Sequence, residues 1–261
     1  IRAIGALDIA ALRTALEAIV RRHAVLRSRF VLDGDEPVQR VMPAGGVDLG
    51  TTDLSDLPAD DREHALRSLA QASATMPFDF AKDDLLRCRL VVLGHQEHAI
   101  LFTLHHIAAD GWSMGVLVRE FIAHYTAATE GRGADLPPLP IQYGDFARWQ
   151  HQTRDGGLFR ESMKFWTERL ADAPAVHALP LDRPRPARQS FFAQRYQQRI
   201  AADRVEALKR LAQEAGSTLF MVLQTAFAGL LSRWSGQRDI VIGTPTSGRE
   251  RPETAPLIGF F

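Results

Sequence analysis

The sequence predicts an α/β fold of the α+β type, and three observations carry that prediction. Apolar residues recur at helical spacing in several stretches, β-rich runs stand between those stretches, and no Gly-rich phosphate turn joins a strand to a helix. The architecture is therefore expected to be mixed but not nucleotide-binding. With 261 residues, 46% of them hydrophobic and 24% charged, the chain has enough apolar material for one large domain or two lobes.

The elements follow in order. After a short strand end, Asp8 is placed to cap a helix whose Ile9, Leu12, Leu16, Ile19 and Val20 share a face. RSRFVLDGDEPVQRV reads as a hairpin turning at Asp33-Gly34. A polar helix over about Asp60–Ala72 offers Ala65, Leu66 and Leu69 as its buried stripe. Leu85–Leu93 and His98–His106 read as two strands of a second hairpin across GHQE. The loop IAADG leads into a helix from Ser113 to about Thr126, with Ser113 as its cap and Leu117, Phe121 and Tyr125 four residues apart. Past LPPLP, helices are expected over Gln142–Gln152 and Phe159–Ala171. LPLDRPRPARQS has the composition of an extended linker, and it divides the chain into a lobe over 1–172, a linker over 173–190 and a second lobe over 191–261. That second lobe is expected to hold a strand (Phe192–Ile200), helices over Asp203–Ala215 and from Ser217/Thr218 to Trp234, and a short buried strand DIVIG.

Charge excludes some function classes. Lys+Arg and Asp+Glu both number 31, so no net field draws the chain to nucleic acid or an anionic membrane. Pairs such as Arg21-Arg22 do not extend into a basic run, and no apolar stretch approaches a membrane span. Cys88 is the single cysteine, so neither a disulfide nor a zinc cluster of thiolates is expected, in keeping with a reducing cytoplasm. No signal peptide is read at the start. The opening without a start methionine and the close on PLIGFF read as cut ends of something longer.

The chemistry-bearing stretch is LHHIAADGWS, Leu104–Ser113. A match of the HHxxxDG type arises by chance on the order of once in a thousand chains of this composition. Read as the end of a strand, His105 and His106 point to opposite faces, so one can meet a substrate while the other packs. A histidine, with an ordinary pKa of about 6.5, suits deprotonation of an amine-derived nucleophile. Asp110 either orients an imidazole or pairs with an arginine as structure. Gly111 offers backbone without side-chain bulk, for a close substrate approach or a tight turn. A metal site from His105, His106 and Asp110 is disfavoured because the imidazoles diverge. A serine hydrolase is disfavoured because no GxSxG elbow is present.

Several segments together resemble the condensation domains of nonribosomal peptide synthetases. HHIAADGWS resembles that family's HHxxxDGWS, and RRHAVLRSRF its RHExLRTxF, with Ala24 where an acidic residue is usual. IQYGDFARWQ is similar to YxDFAxW through Tyr143, Asp145, Phe146 and Trp149. FDFAKDDLLRCRL resembles a strand-entry segment of the family. GTPTSGRERPETAPLIGFF resembles the approach to IGxFVNT, with Ile258, Gly259, Phe260 and Phe261 matching its start.

The resemblance implies a chloramphenicol-acetyltransferase-like two-lobed fold, the first lobe nearly complete and the second partial. It implies His106 as the catalytic histidine with Gly111 near the reacting thioester, His105 and Asp110 as structural support, and Arg249 as the partner of Asp110. The implied reaction is amide formation, an acceptor aminoacyl thioester's amine attacking a donor acyl thioester, with an L-type donor weakly favoured by HHIAADGWSMGVLVRE. No cofactor is bound by the domain itself. Phosphopantetheine arms come from upstream and downstream peptidyl carrier proteins, beside a neighbouring adenylation domain. An ester-forming acyltransferase of the same superfamily and a non-catalytic carrier-docking module remain as alternatives.

Overall fold

The computed structural model describes every residue except 155, 189, 191–193 and 195, and the backbone alone of residue 158. The chain packs as two compact units, Ile1–Gly156 with Thr246–Phe261, and Gly157–Pro245. Against the lobes expected over 1–172 and 191–261, residues 157–172 cluster with the second unit and residues 246–261 with the first.

The first unit is built on a four-stranded sheet. Strands β1 (Arg2–Ile4), β6 (Glu97–Leu104), β5 (Leu86–Gly94) and β4 (Leu49–Asp53) lie in the order β1-β6-β5-β4, and a separate hairpin joins β2 (Ser28–Asp33) to β3 (Glu36–Val41). Gly34 turns that hairpin at a φ of 64°, a left-handed conformation that suits glycine. Alternation along the strands sorts the core. Leu86, Cys88 and Leu90 of β5, with Ile100 of β6, join the main cluster, where helix α1 (Ile9–Arg22) buries Leu12, Leu16 and Ile19 and helix α3 (Gly111–Thr129) buries Val116, Leu117 and Phe121. Val91, Leu93 and Ala99 form a second cluster on the alternate positions, covered by Leu66 and Leu69 of helix α2 (Ala59–Thr75).

Asp8 caps α1 as expected, accepting a hydrogen bond from the Ala11 N–H at 3.0 Å. Other expectations need correction. β4 was not foreseen: LGTTD is short and largely polar, and it becomes a strand only by pairing parallel to β5 across the α2 crossover. The strand ahead of the histidines ends at Leu104, and His105 opens a turn closed by Ala108 N–H donating to His105 O at 2.9 Å. Ser113 is not the cap of α3. Asp110 is, its carboxylate accepting from the Ser113 N–H at 2.7 Å.

Among the described residues the second unit holds three helices, α5 (Gly157–Arg169), α6 (Ala202–Glu214) and α7 (Leu219–Ser235); α4 (Tyr143–Thr153) belongs to the first. Thr218 caps α7 by accepting from the Met221 N–H, and Gly236 ends it at a φ of 71°. The strand expected over Phe192–Ile200 falls partly outside the described residues. Its described part takes no strand, nor does DIVIG, because no neighbouring segment completes a ladder with either among the described residues. Among the described residues no single helix is long and apolar enough to cross a membrane.

Candidate active site

The turn after β6 sends the two histidines to different surroundings. His105 packs edge-on against Phe78 and Phe80, with ring centroids 5.5 and 4.6 Å away, and its Nδ1 accepts from the Ile107 N–H at 3.0 Å. Burial, and the adjacent His106, hold its pKa below the ordinary imidazole range. His106 is exposed instead. It opens onto a cleft of about 610 Å³ lined by Phe102, Leu104, Gly111, Met114 and Val118. The divergence foreseen for the pair is present, but a turn produces it rather than strand alternation.

The cleft has a structural origin in the sheet. β1 pairs with β6 only over Glu97–Ala99, so the β6 edge from Leu101 to Leu104 has no strand beside it among the described residues and forms one wall. α3 and α2 supply the others. At Gly111, an added Cβ would meet no atom within 4 Å, so this first residue of α3 leaves open space beside the cleft.

Asp110 does not touch His106; it is the centre of a clasp. Its Oδ1 accepts from the Ser113 N–H and hydroxyl, both at 2.7 Å, and the Arg249 Nη2 reaches Oδ1 at 3.0 Å and Oδ2 at 3.1 Å. Burial alone would raise the pKa of this carboxyl, but the Ser113 hydrogen bonds and the guanidinium outweigh it and hold it below the usual carboxylate range. The Arg249 side chain is only 1% exposed and donates further from Nη1 to the carbonyls of Thr254 and Leu257. Its guanidinium carbon sits 4.1 Å from the centroid of the Phe261 ring. Asp110 and Arg249, proposed as partners from sequence, are thus an ion pair, and they fasten residues 249–261 onto the start of α3.

Sequence reasoning missed the rest of that fastening. Ser113 Oγ accepts from the Gly259 N–H at 3.0 Å and lies 2.8 Å from the Gly259 carbonyl. Tyr143 donates its hydroxyl to Phe260 O at 2.8 Å, and burial together with the Asp110 charge pushes its pKa up. His23 accepts at Nδ1 from the Ile258 N–H at 3.3 Å, so its Nε2 is the donor to Glu120 Oε2 at 2.8 Å. Arg22 Nε also donates to Glu120, at 3.0 Å. Burial disfavours the Glu120 anion, yet the His23 and Arg22 contacts prevail and lower its pKa. His23 and Tyr143 both lie in segments singled out from sequence, but a backbone N–H or carbonyl as partner leaves no side-chain signal to find. Among the described residues no group of three or more His, Cys, Asp or Glu could hold a metal ion.

A loop histidine thus stands beside the cleft, and the capping Asp110 is held by the distant Arg249. The model of the Condensation domain family matches residues 1–261, and the chain belongs to that family. It is similar to a linear gramicidin synthase of Brevibacillus parabrevis, 43% identical over 257 residues, which are 98% of this chain and 3% of that protein. Phosphinothricin tripeptide synthetase PhsC of Streptomyces viridochromogenes is 45% identical over 251 residues, 96% of this chain and 23% of that protein. The chain therefore spans only a small part of these relatives. Among solved structures, the X-domain in its complex with OxyB from teicoplanin biosynthesis superposes with a TM-score of 0.89 at 32% identity, covering 100% of this chain and 57% of that one. The α/β fold expected from sequence is the fold of these domains.

Proposed function

We propose that this chain forms amide bonds as part of a nonribosomal peptide synthetase, with His106 as the catalytic residue. The observation that carries the reading is the contrast within one motif. Asp110 is taken up by Ser113 and Arg249, while the exposed His106 lines the cleft beside the uncovered backbone of Gly111. A rigid clasp beside an exposed imidazole suits chemistry on a substrate delivered from outside.

In this reading both substrates arrive as thioesters on phosphopantetheine arms of an upstream and a downstream peptidyl carrier protein. The acceptor amine attacks the donor carbonyl, forming the C–N bond. The C–S bond breaks as the tetrahedral intermediate collapses, and the proton lost by nitrogen goes through the His106 imidazole to the departing sulfur. An α-amine with an ordinary pKa near 8 is partly neutral already, so the imidazole serves chiefly to hold the amine in line and accept its proton. Positioning two tethered reactants supplies part of the acceleration by itself. Arg249, Asp110 and His105 act as structural support, and the setting is a cytoplasmic multidomain enzyme beside an adenylation domain. Mass spectrometry of carrier-bound product, with matched amine and alcohol acceptors offered together, tests the reading. Amide from the amine alone supports it, and ester from the alcohol alone replaces it with the acyltransferase reading.

A docking module without turnover has one observation behind it, the 32% identity to an X-domain whose solved complex contains OxyB. Carrier binding that is equal in wild type and His106→Ala, with no product from either, would select that reading.

A further inference from the structure

We infer that Phe260 is a positioning residue for His106, and that its ring, not Asp110, sets the orientation of the imidazole. This rests on His106 being the catalytic residue. Histidines that act as bases commonly have a polar group on the second ring nitrogen to fix their orientation. His106 carries no hydrogen bond or ion pair at its ring among the described residues, and the nearest motif carboxylate is occupied by Ser113 and Arg249. The ring contact it does make is with Phe260, T-shaped, at a centroid distance of 5.0 Å and an interplanar angle of 76°. That arrangement is a favoured one for two aromatic rings.

Phe260 can act this way because its backbone is held on both sides. The Gly259 N–H donates to Ser113 Oγ, the Phe260 carbonyl accepts from Tyr143, and the Phe261 N–H faces Asp110 Oδ2 at 3.5 Å. At Gly259 a Cβ would lie 2.5 Å from Tyr143 Cδ2 and 2.6 Å from Phe261 Cε2, so the backbone here packs close against both rings. The clasp of Asp110, Ser113 and Arg249 thus reaches His106 indirectly, by fixing the residue that packs against it. Phe260 itself is half exposed, 51% for the whole residue, so replacing it disturbs little of the core.

The test uses the complete synthetase that contains this chain, with its own carrier domains. Phe260→Ala is expected to lower kcat roughly 3- to 10-fold, the range of an aromatic pair, with little change in KM. Phe260→Tyr keeps the ring and is expected to stay within about twofold of wild type, while Phe260→Leu keeps apolar bulk without the ring and should show most of the loss. In a His106→Ala background, Phe260→Ala should cost nothing further. An unchanged kcat in Phe260→Ala overturns the inference, as do full activity in Phe260→Leu or an equal loss in the His106→Ala background. If His106→Ala alone leaves turnover intact, the catalytic reading itself fails. Melting curves of the single variants identify any that lose activity by unfolding.

Discussion

Arg249 and Asp110 show how a motif carboxylate can be taken up in fastening one segment of backbone to another. Their side chains are 1% and 14% exposed, and removing either leaves the other charge without its partner in a buried setting. Breaking such a pair typically costs about 3–5 kcal/mol, so Arg249→Ala is expected to lose that much stability in urea denaturation. A loss under about 1 kcal/mol, the range of surface pairs, would mean the clasp is slack. The same charges set a pH dependence. Asp110 and Glu120 both have folded-state pKa values below their ordinary ones. Their contribution is complete above the unfolded values, about 3.9 and 4.3, and is lost as pH falls through the lowered folded values. The melting temperature should therefore hold between neutrality and about pH 5 and drop below about pH 4. Asp110→Asn should start lower and fall less steeply. Cys88 is buried, and burial pushes its thiol up to about 12. Alkylation at pH 8 should be slow in the native protein and fast in denaturant.

At the scale of elements, what the sequence made legible was what neighbouring residues decide. Asp8 and the apolar face from Ile9 to Val20 announced α1, and Asp33-Gly34 announced the β2–β3 hairpin. What stayed hidden depends on distant partners. LGTTD has no alternation of its own and is a strand because β5 lies beside it. DIVIG has the composition of a strand and no ladder to join. The histidine doublet could be recognised, yet the turn that separates His105 from His106 could not, since its cause is the end of β6 pairing at Leu104 with Leu86. Arg249 was tied to Asp110 through family resemblance, a separation of 139 residues that no spacing argument spans. Gly259 makes the segment scale testable: Gly259→Ala forces Tyr143 or Phe261 to move and is expected to cost about 1–3 kcal/mol, the usual range for overpacking, read from thermal or urea melts. A melt unchanged from wild type would show that the contact yields freely.

For the whole molecule, buried apolar residues are concentrated in the first unit. Its sheet is buried on both faces, whereas α7 of the second unit has no buried residue and exposes Phe220, Phe227 and Trp234. Hydrogen exchange should accordingly be slowest in β5 and fastest in α6 and α7; equal protection would contradict this distribution. The first unit also holds every residue of the candidate site, from His106 to the returning segment. In the proposed mechanism the His106 imidazole does the work while the packed segment around Phe260 holds it in place. Turnover of His106→Ala, measured on folded protein with matched carrier substrates, tests that most directly. The account predicts a rate loss of about 10²–10⁴-fold, and a loss below about tenfold would contradict it.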